Sequence, residues 1–269
     1  VVSLKAVFST MILLNLRPSE AVRVLASEGL YVELDYDNFT VFGGRQVEDA
    51  LLKEVVENVV GGLRRYVRTN HMPYQQGDID ADIIPLESVE KRMIKWLDVG
   101  AELGVSVAVF HAIRTSSRSP LEMNLEFFKV MAKEAIDRGI MVAVENRMER
   151  GLFGSKPSDL KALMEGVGEG IGVCLDVGHA NITKNLHRFL DELGEHIVEL
   201  HLHDNDGLKD LHKPPLTGTV DWNSIMLWLR NKSNVIPTFE IGCREDTRSC
   251  LAVAKSVLEW FRKHLHIDT

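Results

Sequence analysis

Short runs of β-favouring residues alternate with longer amphipathic stretches eight times along this chain, and that alternation limits the fold more than any other feature. Candidate strands cover Leu4–Ser9, Tyr31–Asp35, Arg65–Asn70, Ser106–Phe110, Met141–Val144, Gly172–Leu175, Val198–Leu202 and Pro237–Phe239. Candidate helices lie between them, near Pro18–Ser27, Val47–Val60, Leu86–Leu103, Leu121–Arg138, Pro157–Met164, Leu186–Leu193, Trp222–Arg230 and Thr247–His264. In the third helix Val89, Met93, Ile94, Leu97 and Ala101 recur at three- and four-residue spacing, with Lys91, Arg92, Lys95 and Asp98 between them. That spacing makes one apolar stripe and one wet face. The run Val105–Phe110 is apolar at almost every position, as in a strand covered on both faces. Pro18, Pro120 and Pro157 suit first helical turns, and Gly29, Gly104, Gly139 and Gly194 suit helix ends. The pattern predicts a single-domain α/β protein, a closed (β/α)8 TIM barrel over residues 1–269, a common length for that architecture. An open doubly wound sheet competes, but no GxGxxG or P-loop turn supports it.

Composition removes several function classes. Hydrophobic residues make up 45% of the chain and charged ones 26%, an ordinary globular balance. No apolar run reaches the ~18 residues of a membrane span. Ala6–Leu16 is short, follows Lys5 and lacks a small-residue cleavage site, so no signal peptide is expected. The net charge of −8 disfavours a general nucleic-acid partner, although a local basic cleft can sit on an acidic protein. Cys174, Cys243 and Cys250 form no CxxC pair and read as reduced thiols of a cytoplasmic protein.

Residues with metal-ligating side chains fall at one kind of place. His71 follows the third strand in NHMPY and His111 the fourth in AVFHAI. Glu145 follows the fifth in VAVENR, and Asp176 and His179 the sixth in CLDVGHAN. His201 and His203 close the seventh in ELHLHDNDG, and Glu240 the eighth in TFEIG. Asp210 and His212 lie in the loop after strand seven, in KDLHKPP. The C-terminal strand ends of a barrel and their loops form its active-site mouth, so these residues are expected to converge. A lone His or Glu at a strand end is commonly a salt-bridged structural residue. Six successive strands ending in Asp, Glu or His form a set that buried charge tolerates only when paired or metal-bound. Imidazole and carboxylate suit zinc, manganese or a similar divalent ion. His187, His196, His264 and His266 read as surface residues, and Trp96, Trp228 and Trp260 as packing. The run from Arg114 to Arg118 suits either a phosphate contact or a solvated loop.

The ordered series HMPY, FHAI, VEN, CLDVGHA, HLHDNDG, DLH and FEIG resembles the xylose isomerase-like TIM-barrel superfamily. That superfamily contains sugar and sugar-phosphate isomerases and epimerases, and also the endonuclease IV family. The resemblance implies the barrel and a divalent metal ion at its mouth. In the isomerase and epimerase branch it implies a metal held by Glu145, Asp176, His201 and Glu240. Glu145 and Glu240 would also be the catalytic proton-transfer pair, and His179 would contact sugar oxygens. The choice of His201 over His203 rests on the resemblance, because both alternate onto one face of the strand.

The endonuclease IV branch implies nine ligands around three zinc ions. All nine have counterparts here: His71, His111, Glu145, Asp176, His179, His201, Asp210, His212 and Glu240. Tyr74 matches a Tyr after the first His. His111-Ala-Ile stands where the nucleases read HPG, and Asp176-Val-Gly-His179 where they read a DTxH-like run. Asp78, Asp80, Asp82 and Glu87 after His71 would repel a phosphate backbone.

The leading expectation is therefore a metal-dependent isomerase or epimerase of a small-molecule sugar or sugar phosphate. The alternative is an endonuclease IV-like phosphodiesterase acting on DNA at abasic sites. A third reading is a non-catalytic sugar- or metal-binding barrel, which the intact pair Glu145 and Glu240 disfavours.

Overall fold

A computed structural model describes residues 4–265 and shows eight parallel strands closed into a barrel in sequence order. The strands are β1 Val7–Ser9, β2 Tyr31–Leu34, β3 Val67–His71, β4 Val107–His111, β5 Met141–Glu145, β6 Ile171–Asp176, β7 Ile197–Leu202 and β8 Ile236–Phe239. β8 closes on β1 through Val7 opposite Thr238 and Phe8 opposite Phe239. All eight expected strands and eight expected helices are present. The third strand starts two residues late because Arg64–Tyr66 forms a 3-10 turn. A helix the sequence reading lacked, Val177–Thr183, follows β6 directly, with the Asp176 carboxylate accepting from His179 N at its start.

Alternate residues of each strand point to opposite faces. Phe8, Leu34, Phe110, Val144, Leu175, Leu200 and Phe239 are buried in the main core with the helices, including Trp96, Phe127 and Phe189. Val107, Val109, Ala143 and Cys174 form a separate small cluster in the barrel interior. Pro18, Pro120 and Pro157 each open a helix, where the missing N–H removes no helical bond. Gly194 departs from its expected left-handed role: its φ is −53°. A Cβ there would meet Leu190 O at 2.5 Å, so space rather than handedness excludes a side chain.

The cysteine reading is corrected. Cys243 and Cys250 form a disulfide, and only Cys174 is free. Cys243 lies in the loop after β8 and Cys250 in the first turn of Thr247–Leu265, with Cα atoms 5.7 Å apart. The chain turns back between them, a proximity that a search for CxxC misses. The pairing removes the thiol argument for a reducing compartment. Among the described residues, no helix is long and apolar enough to cross a membrane. His266 lies outside the described residues.

Candidate active site

Two layers of side chains stack inside the barrel. The lower layer includes Glu33, Thr69, Cys174, Glu199 and Thr238, all fully buried. Thr69 donates to Glu33 at 3.1 Å and Thr238 donates to Glu199. The upper layer sits at the C-terminal strand ends and carries the residues singled out in the sequence.

Most of those residues enter overlapping groups whose donor atoms lie within 4.8 Å of one another, including one of His71, His201 and Glu240; three of the groups adjoin along the mouth. His71, His111 and Glu145 form the first, Glu145, Asp176, His201 and Glu240 the second, and His203, Asp210 and His212 the third. In the first, Glu145 Oε2 lies 3.0 Å from His71 Nε2 and 2.7 Å from His111 Nε2. In the second, His201 Nδ1 lies 3.3 Å from Glu240 Oε2 and 3.6 Å from Glu145 Oε1. In the third, His212 Nε2 lies 3.0 Å and His203 Nε2 3.6 Å from the Asp210 carboxylate. The two strand-seven histidines thus separate: His201 joins the four-residue group, while His203 faces Asp176 at 3.0 Å and stacks on His212. Gly178 makes that possible, since a Cβ there would sit 2.0 Å from the His203 ring.

Three histidines share one orientation. His71 Nδ1 is 3.0 Å from the Met72 carbonyl, His179 Nδ1 is 2.8 Å from the Asn146 carbonyl and His212 Nδ1 is 3.0 Å from the Glu240 carbonyl. Each thereby donates Nδ1–H to the backbone and turns Nε2 to a carboxylate: Glu145 for His71, and Asp210 for His179 and His212. A backbone bond of this kind fixes the tautomer of a metal-binding imidazole. Buried His201 Nδ1 and Nε2, His203 Nδ1 and Asp210 Oδ1 have no hydrogen-bond partner. Buried polar atoms are seldom left that way. The donor set therefore fits a divalent cation, with nitrogen and oxygen ligands only.

The same contacts shift the charges of these groups. Burial opposes a charge on His71, but the Glu145 carboxylate more than offsets it and lifts the imidazole to about 10. Burial likewise opposes charge on His212, and Asp210 raises it to about 10. Burial pushes His111 down to about 4. Burial works against a charged Glu145, yet His111 and His201 hold it well below the usual carboxylate range. Asp35 is pushed up to about 8 by burial and by Asp37.

A cavity of about 220 Å³ opens over the groups, lined by His71, Tyr74, His111, Glu145, His179, Asp210, His212 and Glu240, with Asp35, Arg114 and Arg147. Asp176, His201 and His203 do not line it. The Arg114–Arg118 run divides. Thr115, Ser116 and Ser117 all bond Asp82, Arg118 pairs with Glu126, and Arg114 alone reaches the cavity. The acidic loop is less charged than its sequence suggests, because Asp78 pairs with Arg92 and Glu87 with Lys91. The loop therefore repels a phosphate backbone less than four free carboxylates would.

Sequence reasoning missed four site residues: Glu33, Asp35, Asn146 and Arg147. Asn146 clamps β5 to β6, accepting from Asp176 N at 2.7 Å and donating to Asp176 O at 3.1 Å. A charged residue inside the apolar run Tyr31–Leu34 was the available signal for Glu33.

Comparison with known proteins agrees with the barrel fold. The family described as "Xylose isomerase-like TIM barrel" matches residues 30–264. The chain belongs to that family. An uncharacterised protein of Methanocaldococcus jannaschii is 30% identical over 248 residues, covering 89% of this chain and 93% of the relative. A D-tagatose 3-epimerase-like protein superposes with a TM-score of 0.74 at 21% identity, over 96% of this chain and 98% of its own. A Thermus thermophilus protein soaked with zinc chloride superposes with a TM-score of 0.64 at 25% identity, over 95% and 98%. As a member of the xylose isomerase-like family, the chain places its donor groups where barrels of this kind place their chemistry.

Proposed function

We propose that this chain is a divalent-metal-dependent isomerase or epimerase of a small sugar or sugar phosphate. The observation that carries the reading is the meeting of Glu145 and Glu240 in one donor group with Asp176 and His201. The two glutamates come from β5 and β8, three strands apart around the barrel. A divalent ion held there supplies Lewis acidity toward a carbonyl and its neighbouring hydroxyl. On this reading one of Glu145 and Glu240 takes the proton from the adjacent carbon and the other returns it. His179, also lining the cavity, is the candidate contact to sugar oxygens. The cavity lies below the roughly 300–1,000 Å³ of drug-sized pockets, which suits a small substrate. The likeness to a D-tagatose 3-epimerase-like protein supports the same class.

The test is solvent exchange. Metal-loaded protein is incubated in D2O with ketoses, aldoses and their phosphate esters. The expected result is deuterium at the carbon beside the carbonyl of one substrate, and none with Glu240→Gln. Absence of exchange across the panel would overturn the proposal.

One observation favours a second reading. The groups around His71 and around Asp210 flank the four-residue group and supply donors for further ions. Three zinc ions so held would suit endonuclease IV-like hydrolysis at abasic sites in DNA. Cleavage of an abasic oligonucleotide would select it.

A further inference from the structure

Arg147 follows Glu145 by two residues and is buried, with 4% of its surface exposed. Its Nη2 donates to the Ala112 carbonyl at 2.9 Å, which pins the guanidinium under the loop after β4. Its Nη1 reaches Glu149 Oε1 only at 3.5 Å. Arg114 Nη2 reaches the same oxygen, also at 3.5 Å. One half-exposed carboxylate thus serves two guanidiniums, and among the described residues no other carboxylate lies within ion-pair distance of either. A buried cation so weakly compensated is costly unless an anion completes it.

The position of the pair matters as much as its charge. Arg114 and Arg147 are the only Arg or Lys side chains lining the cavity over the donor groups, among the described residues. Both also line an adjoining cavity with Thr115 and Ser116, so they stand between the two. The remaining wall carries Asp35, Asp210 and Glu240 beside His71, His111, His179 and His212, the side on which the donor groups lie.

We infer that Arg147 and Arg114 form an anion subsite at the ends of β4 and β5 that holds the phosphate or carboxylate end group of the substrate. The guanidinium fork matches the paired oxygens of either group, which a lysine would not. The inference rests on the proposed sugar chemistry and narrows it to substrates with an anionic terminus. The subsite lies across the barrel from the phosphate site common in such folds, which follows strands seven and eight. The sugar chain would run from the arginines toward Glu240.

Calorimetric titration of the purified full-length protein tests the subsite, with inorganic phosphate and glycolate as separate probes. Parent and variants are compared at matched metal content, because an anion bound only to metal is indifferent to the arginines. The expected result is about one phosphate or glycolate per chain, with affinity reduced at least tenfold in both Arg147→Gln and Arg114→Ala. The tighter probe names the end group. If Arg147→Gln fails to fold by circular dichroism, Arg114→Ala carries the test, since that side chain is partly exposed and its loss opens no core. No binding of either probe, or equal binding in parent and Arg114→Ala, would overturn the subsite. Arginine-dependent binding without C–H exchange would leave the subsite standing and remove the isomerase reading. Exchange on neutral sugars with no anion binding would do the reverse.

Discussion

Glu33 Oε2 lies 3.4 Å from His201 Nε2, on the far side of the imidazole from Glu240. Both residues are fully buried. The Glu33 carboxylate thus faces the Nε2 side of the imidazole at ion-pair distance, while Nδ1 faces Glu145 and Glu240. Glu33→Gln removes the charge and keeps the shape. Metal affinity, measured by chelator competition, should fall about 10–100-fold, the usual effect of losing a partner behind a ligand. Unchanged affinity would show that Glu33 does not orient His201.

Glu240→Gln should preserve the fold, because the amide is nearly isosteric and the Glu240 carbonyl still meets His212 Nδ1. Turnover should fall by about 10²–10⁴-fold, since an amide cannot exchange a proton near neutral pH. A kcat close to that of the parent would remove Glu240 from the proton-transfer pair.

Metal content separates the two enzyme readings. After mild chelation and zinc reloading, the isomerase reading expects about one tightly held ion per chain. His71→Ala and His212→Ala should keep it, because the four proposed ligands Glu145, Asp176, His201 and Glu240 all remain. Three ions, lost in part in either variant, together with abasic-site cleavage, would decide for the nuclease.

Asp35 makes stability depend on pH. Its carboxyl is raised from 3.8 to about 8 in the folded protein by burial and by Asp37. A group raised on folding contributes stability that is fully present below its unfolded pKa and is lost as pH climbs through the folded one. Chelator-treated protein should therefore weaken from about pH 4 to pH 8. Asp35→Asn, which cannot ionise, should melt above the parent at pH 9, with the difference closing toward pH 4. Each kcal/mol recovered corresponds to about 2–4 °C for a chain of this size. Parallel melting curves across that range would refute the assignment.

The barrel was legible because its cause is local and repeated. Strand and helix periodicities recur eight times, and each His, Asp or Glu at a strand end is visible beside its apolar run. Closure in register then carries Glu145 and Glu240, 95 residues apart by their numbers, into one group. Arg147 was harder to see. It sits in a loop without periodicity, and its burial comes from contact with the loop after β4.

The sequence by itself determined the order of elements and which residues reach the barrel mouth, because both follow from side-chain alternation and strand length. Tertiary structure alone decided how those residues divide. His201 and His203 share a strand face, and only the space left by Gly178 and the positions of Asp176 and Asp210 put them in different groups. It alone decided the Cys243–Cys250 pairing and placed Glu33 behind His201. These are distances between segments remote in the chain, set by closure and packing of the whole barrel, and no local pattern encodes them.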